Sequence, residues 1–330
     1  MWYTEVGKDG DVVLSSRVRL ARNIKDIPFG NRMTEAHQDE VISRCKNALS
    51  DMKFISLEEM SDVEKTSLAE RHLISLDMIE NNRKKGLLHN DECTVSVMLG
   101  EEDHIRIQAM KSGFCLDWCL DEANKVDDRL EESVEYGFSE KFGYLTCCPT
   151  NVGTGMRASV MLQLPALVMS GRMEGITSSL LKLGMTVRGI YGEGSKAIGD
   201  IFQISNQVTL GQTEEEIIQK LKQIVAEVVQ KERETAKSLY EKNKYVLEDK
   251  VMRSYGMLKN AVILSSKEAM SALSDIRLGI NLGIIKDISE ERIISIIYAI
   301  QPASLIKENN IVSVSDRDIK RAEVVKSMLV

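Results

Sequence analysis

One short stretch, Tyr144–Pro165, constrains the fold and function of this chain more than any other. Gly153 and Gly155 flank Thr154 in it, and glycine lets a backbone turn sharply and approach a ligand closely. Arg157 follows at the start of an apolar segment that we interpret as a helix. A glycine loop, a helix start and a guanidinium favour an anion site. An ordinary tight turn would also explain Gly-Thr-Gly by itself.

A second stretch near the N-terminus also places arginines together. Val12-Val13-Leu14 predicts a short strand that continues into the segment 15–23. In extended backbone Arg17 and Arg19 point to the same face and repel each other unless an anion lies between them. The pattern is therefore typical of a polyphosphate clamp, with a solvated edge strand as the alternative.

A hairpin carries three consecutive acidic residues at its turn. Residues 92–99 and 105–108 alternate between apolar and polar, which predicts two antiparallel strands. Glu101, Glu102 and Asp103 lie between them, and Arg106 follows close behind. Acidic residues are common at solvated turns, but here they lead directly into an arginine that faces the same end.

The remaining patterns organise the rest of the chain. Helices are predicted over 34–52, 61–73, 116–136 and 171–184, and strands over 185–187 and 201–210. Thr213 and Glu216 have capping-box spacing, and the chain is mostly helical from there onwards. We predict an α+β fold with an antiparallel sheet flanked by helices in residues 1–234, followed by a helical domain in 235–330. That domain has more apolar surface than it can bury alone, so we expect a homodimer.

Several classes of protein are disfavoured. No run of about 18 uncharged apolar residues and no apolar signal region is present, so we expect a cytoplasmic protein without a membrane span. The six cysteines form no Cys-x-x-Cys pair, and we predict no metal site and no disulfide framework. A net charge of −7 argues against direct nucleic-acid binding. The absence of a Walker lysine loop and of a His-Arg-Asp loop excludes the familiar kinase classes.

The string Cys-Pro-Thr-Asn-Val-Gly-Thr at 148–154 resembles the signature of the ATP:guanidino phosphotransferases, the phosphagen kinase family. The resemblance implies a glutamine synthetase-like antiparallel catalytic domain, with ATP and Mg²⁺ as cofactors. It also implies a nucleotide site built from segments that match the family's motifs. These residues are Ser15, Ser16, Arg17, Val18, Arg19, His72, Arg106, Arg157, Ala158, Ser159, Val160, Met161, Arg188, Gly189, Ile190, Tyr191, Gly192 and Glu193.

The resemblance further implies the catalytic groups. Glu102 and Glu193 would bracket the substrate guanidinium and accept its proton as the N–P bond forms. Gly100 stands where the family usually has asparagine, which changes the turn but not the chemical groups. Cys148, as a thiolate, would orient one guanidinium nitrogen; the alternative is a small buried residue.

Two features select the branch of the family. Kinases of free arginine or creatine carry a helical domain before the Ser-Arg-x-Arg element, and here only residues 1–14 precede it. Near the C-terminus, Arg-Asp-x-x-Arg-Ala resembles the phosphoarginine-binding motif of the bacterial protein-arginine kinases, which implies a second site at Arg317, Asp318, Arg321 and Ala322. This resemblance covers nearly the whole chain.

The same resemblance implies partners. They are protein substrates with exposed arginines, including the repressor CtsR, the activator McsA and the ClpC–ClpP protease that degrades marked proteins in the stress response. A kinase of free arginine and a catalytically silent phosphoarginine-reading adaptor are the alternatives; intact Glu102, Glu193 and arginines disfavour the adaptor.

Overall fold

The computed structural model describes residues 2–3, 5–80, 84–189, 197–309, 311 and 313–329. Its strands are β1 (Val13–Arg22), β2 (Lys53–Ser56), β3 (Gly86–His89), β4 (Val95–Leu99), β5 (Ile105–Ser112), β6 (Phe138–Ser139), β7 (Gly143–Tyr144), β8 (Met156–Gln163), β9 (Met185–Gly189) and β10 (Ile201–Asn206). Its α-helices are α1 (Glu35–Ala48), α2 (Asp62–Glu70), α3 (Leu116–Glu131), α4 (Pro165–Met169), α5 (Met173–Lys182), α6 (Glu214–Asn260), α7 (Ser266–Asn281), α8 (Glu290–Ala299), α9 (Pro302–Asn309) and α10 (Val314–Met328).

The large sheet is antiparallel throughout, in the order β2-β3-β4-β5-β1-β8-β10-β9. The predicted hairpin is β4–β5, with Leu99 opposite Ile105. Strand β1 lies at the centre, between β5 and β8, which confirms the predicted α+β fold with an antiparallel sheet.

The two faces of the sheet differ in chemistry. Val18, Leu20, Ala158 and Val160 are completely buried on the face that packs against α3 and α6. The alternate residues of β1, among them Arg17 and Arg19, project from the other face because side chains alternate along a strand. One face therefore builds the main core, and on the other face Arg17 and Arg19 are available for polar chemistry.

The segment after the glycine turn is a strand, and the helix predicted there is wrong. Strand β8 pairs with β1 on one side and β10 on the other. Its apolar run arises because both faces are covered: Val160 belongs to the main core, and Met161 belongs to a second core that includes Leu14 and Ile201. A strand buried on both faces loses its alternation and cannot be distinguished from a short helix by periodicity.

The other predicted elements are present: the helices have shorter bounds, whereas β5 and β9 extend beyond the strands predicted over 105–108 and 185–187. The helices predicted over 34–52, 61–73, 116–136 and 171–184 correspond to α1, α2, α3 and α5, and the strand predicted over 201–210 ends at Asn206. The predicted capping box begins α6: the Thr213 hydroxyl accepts from the Glu216 N–H at 3.1 Å, and the Glu216 carboxylate accepts from the Thr213 N–H at 2.8 Å.

Helix α6 connects the sheet to the helical domain. Its first part packs against the sheet through Ile217, Leu221 and Val225, and its backbone leaves helical geometry at Asn243. The predicted boundary at 234/235 lies within α6, before this break. Helices α7 and α8 pack over Leu14, Met161 and Ile201, on the sheet side that carries Arg17 and Arg19. No helix in the described ranges is long and apolar enough to cross a membrane.

Candidate active site

Strand register brings the predicted arginines to one face of the sheet. Arg19 lies opposite Arg157, and Ala21 lies opposite Arg106. On the other side, Gln203 lies opposite both Met161 and Arg188. Directly opposed residues project from the same face. Arg17, Arg19, Arg106, Arg157 and Arg188 therefore share one face, although they come from four separated stretches of the sequence.

The central arginines have mainly neutral partners. Arg17 donates from Nη2 to Gln203 Oε1 at 2.8 Å and from Nε to the Ser159 hydroxyl at 3.4 Å. Arg157 Nη2 lies 3.5 Å from the Thr186 hydroxyl. Within the part of the chain that the structure describes, neither Arg17 nor Arg19 forms an ion pair, and the buried Arg19 Nε has no hydrogen-bond partner. The fold thus brings Arg17 and Arg19 together without an ion-pair partner for either among the described residues.

The pKa shifts report the same positive field. Burial, helped by the charges of Arg157 and Arg106, lowers the pKa of Arg17 to about 10. Burial and the neighbouring Arg17 also lower the pKa of Arg19. Burial and then Arg17 and Arg19 lower the pKa of His72 to about 3, which makes this imidazole neutral at physiological pH. A multiply charged anion would relieve the repulsion that these shifts measure.

The three acidic residues of the hairpin turn have different surroundings. The Glu101 carboxylate is completely buried and accepts from Arg106 and from the Ser75 hydroxyl. Asp103 is buried and accepts from Asn23 Nδ2 and from the Cys147 N–H, both at 2.7 Å. Glu102 keeps 44% of its side chain exposed and lies 3.6 Å from Arg106 Nη2. Desolvation, followed by the charge of Asp103, raises the pKa of Glu102. Of the three, Glu102 is the carboxylate that an incoming substrate can reach.

The Asp103 contact also positions the cysteine loop beside the acidic turn. Burial, with the charge of Asp103, raises the pKa of Cys147 to about 12, so this thiol stays protonated. Cys148 Sγ lies 3.0 Å from the Thr150 hydroxyl at the start of a 3₁₀ turn over Pro149–Asn151. At Gly153 the backbone has φ +115°, and a Cβ would lie 2.4 Å from the Thr209 carbonyl, so glycine is required there.

Two cavities border the arginines. The larger, about 640 Å³, is lined by Arg17, Arg19, His72 and Arg188 on the catalytic side. The smaller, about 150 Å³, is lined by Thr150, Asn151, Arg157 and Arg188, next to the cysteine loop. Arg188 lines both cavities, which suits a ligand whose bulky end occupies the first and whose charged end reaches the second.

The predicted nucleotide residues divide by face. The side chains of Ser16, Val18, Ala158 and Val160 face the core, where the Ser16 hydroxyl donates to the Gly113 carbonyl at 2.9 Å. These four therefore support the strands and do not present side chains to the cavities. Met161 lines the larger cavity, as does Gly189. Ile190, Tyr191, Gly192 and the predicted catalytic Glu193 lie outside the described residues.

The predicted phosphoarginine residues lie on α10, in the helical domain. Arg321 is completely buried and donates from Nε to the Ile300 carbonyl at 3.2 Å and from Nη1 to the Leu264 carbonyl at 2.9 Å. Asp318 pairs with Arg321 and lies 3.6 Å from Arg317 Nε. Ala322 is buried, and the Arg317 side chain is 23% exposed.

Sequence reasoning missed three residues of this site. Glu101 orients Arg106, and Gln203 orients Arg17. The polar Gln203 interrupts the apolar run of β10, and this was the signal that could have identified it. Tyr298 of α8 lines the larger cavity from the helical domain, and no local sequence pattern indicates that.

The described residues contain no group of three or more His, Cys, Asp or Glu side chains that could hold a metal ion. Mg²⁺ commonly binds nucleotide phosphates and water with few protein ligands. The described residues do not fit a resident magnesium site. Fold and site together define a phosphotransferase that binds a polyanion on a sheet face.

Comparison with known proteins makes this class specific. The family described as ATP:guanido phosphotransferase, C-terminal catalytic domain, matches residues 33–235, and the Protein-arginine kinase McsB C-terminal domain matches residues 244–330. The Protein-arginine kinase of Clostridium kluyveri is 46% identical over 326 residues, which is 96% of this chain and 94% of that protein. The Protein-arginine kinase of Bacillus subtilis is 44% identical over 337 residues, which is 99% of this chain and 93% of that protein.

A solved structure gives the same result for the catalytic part. Lombricine kinase superposes with a TM-score of 0.61 and 26% identity, over 69% of this chain and 68% of that one. The chain therefore belongs to the ATP:guanido phosphotransferase family, in its protein-arginine kinase branch, and it is an enzyme.

Proposed function

We propose that this enzyme transfers the γ-phosphoryl group of MgATP to the guanidinium group of arginine side chains in proteins. The observation that carries the proposal is the shared sheet face, where Arg17 and Arg19 form no ion pair with any described residue and Arg157 and Arg188 border the smaller cavity. Phosphoryl transfer requires mainly positioning and neutralisation of charge, and guanidinium forks supply both. The relatives from Clostridium kluyveri and Bacillus subtilis are named protein-arginine kinases, which supports arginine as the acceptor.

Glu102 would serve as the base. A substrate guanidinium nitrogen attacks the γ-phosphorus, the N–P bond forms, and the bond from phosphorus to the bridging oxygen of ADP breaks. The nitrogen's proton passes to the Glu102 carboxylate, whose raised pKa makes it a better proton acceptor than an ordinary glutamate. Glu193 would hold the guanidinium from a second side, and Cys148 would orient one of its nitrogens.

Protein substrates fit the surroundings of the smaller cavity. Phe138, Phe142 and Leu210 are 58%, 45% and 52% exposed, and all three lie near the glycine loop. A Cβ built at Gly143 would lie 2.4 Å from the Gly153 carbonyl, and one at Gly153 would lie 2.8 Å from Leu210 Cα. Exposed apolar side chains beside a site suit an extended polypeptide more than free arginine. A silent adaptor would not need the exposed Glu102 beside paired Arg106.

Phosphorus NMR of the full chain with MgATP, free arginine and an unfolded protein tests the proposal. We expect an N–P signal on the protein and little on free arginine. Glu102→Gln should lower the rate about 10²- to 10⁴-fold, because a positioned base is lost, while calorimetry shows ATP still binding. Glu92→Gln changes an exposed carboxylate at the far end of β4 and is the matched control. Near-parent turnover in Glu102→Gln would contradict the assignment, and phosphorylation of free arginine alone would favour a phosphagen kinase.

The regulatory and cellular parts of the proposal rest on the resemblance. We infer that Arg317, Asp318, Arg321 and Ala322 bind phosphoarginine and make the enzyme allosteric, and that the protein acts in the cytoplasm during the stress response. CtsR as a substrate, McsA as activator and ClpC–ClpP as the protease for marked proteins remain proposals.

A homodimer is supported by exposed apolar side chains after the break in α6. Tyr245, Val246, Met252, Val262 and Ile263 are between 49% and 82% exposed. Sedimentation of the full chain would test it, and a monomer at micromolar concentration would contradict it.

A further inference from the structure

The larger cavity has walls from both domains. One wall is the arginine face with His72, and the opposite wall is formed by α8 and the start of α9, through Ile294, Ile297, Tyr298 and Pro302. The arginines are on the first wall, the second wall is mainly apolar, and Glu70 and Asp77 also line the cavity. A ligand that fills this cavity must therefore be charged at one end and flat or apolar at the other.

Tyr298 is held in place before any ligand arrives. Its ring stacks on Tyr3 at a centroid distance of 4.2 Å and meets the edge of Trp2 at 5.3 Å. The His72 ring also contacts the Tyr298 ring edge to face, with the two centroids 6.2 Å apart. A fixed aromatic ring of this kind costs little conformational entropy when it contacts a ligand.

A hydrogen-bonded clamp fixes the distance between the two walls. The Glu70 carboxylate, at the end of α2, accepts from the Ala303 and Ser304 N–H groups at 2.7 and 2.8 Å and from the Ser304 hydroxyl at 2.9 Å. These N–H groups lie in the first turn of α9, where they have no partner within the helix and the helix dipole favours a carboxylate. The catalytic side and the helical domain are therefore joined at the rim of the cavity.

We infer that helices α8 and α9 form the nucleoside side of the ATP site, with Tyr298 contacting the base and the phosphates lying along Arg17, Arg19 and Arg188. The inference rests on the proposed function and adds a substrate-binding wall to it. The family catalytic domain matches only residues 33–235, and the lombricine kinase superposition covers 69% of the chain. The wall belongs to the second domain, so nucleotide binding joins the two domains through a shared ligand.

Titration calorimetry on the full chain separates the two ends of the ligand. MgATP probes both walls, and inorganic tripolyphosphate probes the arginines alone. Tyr298→Ala should raise the Kd for ATP about tenfold or more, as expected for a lost contact between a base and an aromatic ring, and leave the Kd for tripolyphosphate within about twofold. Tyr298→Phe keeps the ring and should bind ATP like the parent. Arg19→Ala should weaken both ligands.

Leu181→Ala, which alters a 50% exposed side chain on α5, is the control and should change neither constant. An unchanged Kd for ATP in Tyr298→Ala would overturn the inference. So would equal weakening of ATP and tripolyphosphate in both Tyr298 variants, since that pattern indicates only a structural role. If Arg19→Ala leaves both ligands unaffected, the arginine site and the proposed function are wrong, and the inference fails with them.

Discussion

Strand β1 carries two kinds of arginine. Arg22 is 1% exposed, pairs with Asp127 at 2.6 Å and places its guanidinium carbon 3.5 Å from the centroid of the Tyr144 ring. Arg17 and Arg19 project from the opposite face and have no ion-pair partner in the described ranges. The residue type and the strand are the same, so the difference lies in whether the fold supplies an anion. Arg22 is structural because the fold supplies Asp127 as its anion. Arg17 and Arg19 suit a ligand because no described residue forms an ion pair with them.

The largest expected effect is on stability, and it tests whether Arg22 is a structural residue. Arg22→Ala should lower the free energy of unfolding by about 3–5 kcal/mol, because the buried Asp127 charge would be left without its partner. Urea denaturation measures the change. Arg129→Ala is the matched control: that ion pair with Asp51 is largely exposed, and its loss should cost under about 1 kcal/mol. If Arg22→Ala lost as little free energy of unfolding as Arg129→Ala, the distinction between a structural Arg22 and ligand-binding Arg17 and Arg19 would be wrong.

For the ligand-facing Arg19 we expect the opposite result: a loss of activity without a loss of stability. Arg19→Ala should lower kcat/KM about 10²- to 10³-fold, because one donor aimed at the phosphates is removed. Its urea midpoint should equal or exceed the parent's, since removing a like charge relieves the repulsion that lowers the pKa of Arg17 and His72. A variant that is destabilised as strongly as Arg22→Ala would show that Arg19 is also structural.

A smaller effect should appear in the pH dependence of stability. The pKa of His72 is about 3 in the folded protein, against 6.5 for the free imidazole. The unfolded state therefore binds a proton below pH 6.5 that the folded state does not, so stability is lost as the pH falls from 6.5 towards 3. Between pH 7 and pH 5.5 the loss through this group should be about 1 kcal/mol, and His72→Gln should remove it.

The same histidine reports on the arginines. Burial is the main cause of its low pKa, and Arg17 and Arg19 follow. Tripolyphosphate bound at these arginines should therefore raise the His72 pKa in an NMR titration. An unchanged pKa with saturating tripolyphosphate would mean that the anion binds elsewhere.

Local patterns predicted the elements whose surroundings are simple. The hairpin with Glu102 at its turn alternates clearly, because one face of β4–β5 is the main apolar core and the other buries a mixture of polar and apolar side chains, such as Ser96, Met98 and Gln108. The capping box of Thr213 uses only neighbouring residues, so it too could be identified from the sequence. Strand β8 was predicted as a helix because Met161 is covered by the helical domain, and nothing near it in the sequence indicates that cover.

The site shows the same limit. The arginines could be proposed from their motifs, but their common face depends on the register of β1, β5, β8 and β9–β10, which is set by pairing over long range. Tyr298 could not be predicted, because its place in the cavity depends on how two domains pack. Separation along the chain is also misleading for Arg321. Its Nε donates to the Ile300 carbonyl, next to Gln301, which lines the larger cavity, so Arg321 lies close to that cavity.

The smallest expected change in stability is that of an Arg317 substitution. Arg317 is a third kind of arginine in this comparison, since it is partly exposed and lies in the helical domain. Arg321 resembles Arg22: it is buried, and main-chain carbonyls hold it, so Arg321→Ala should unfold more easily and bind ATP less well. That variant cannot test the phosphoarginine site cleanly. Among the described residues, the Arg317 side chain has one ion-pair contact, with Asp318 at 3.6 Å, and it is 23% exposed, so Arg317→Ala should keep the free energy of unfolding within about 0.5 kcal/mol. If the motif binds phosphoarginine, calorimetry should show that Arg317→Ala loses affinity for this ligand and that Arg317→Lys, which lacks the planar fork, recovers little of that affinity.

Lys320→Ala, on the same helix with Glu323 as its partner, is the control and should bind phosphoarginine like the parent. Equal binding by the parent and Arg317→Ala would assign Arg317 to the surface and leave α10 with a purely structural motif.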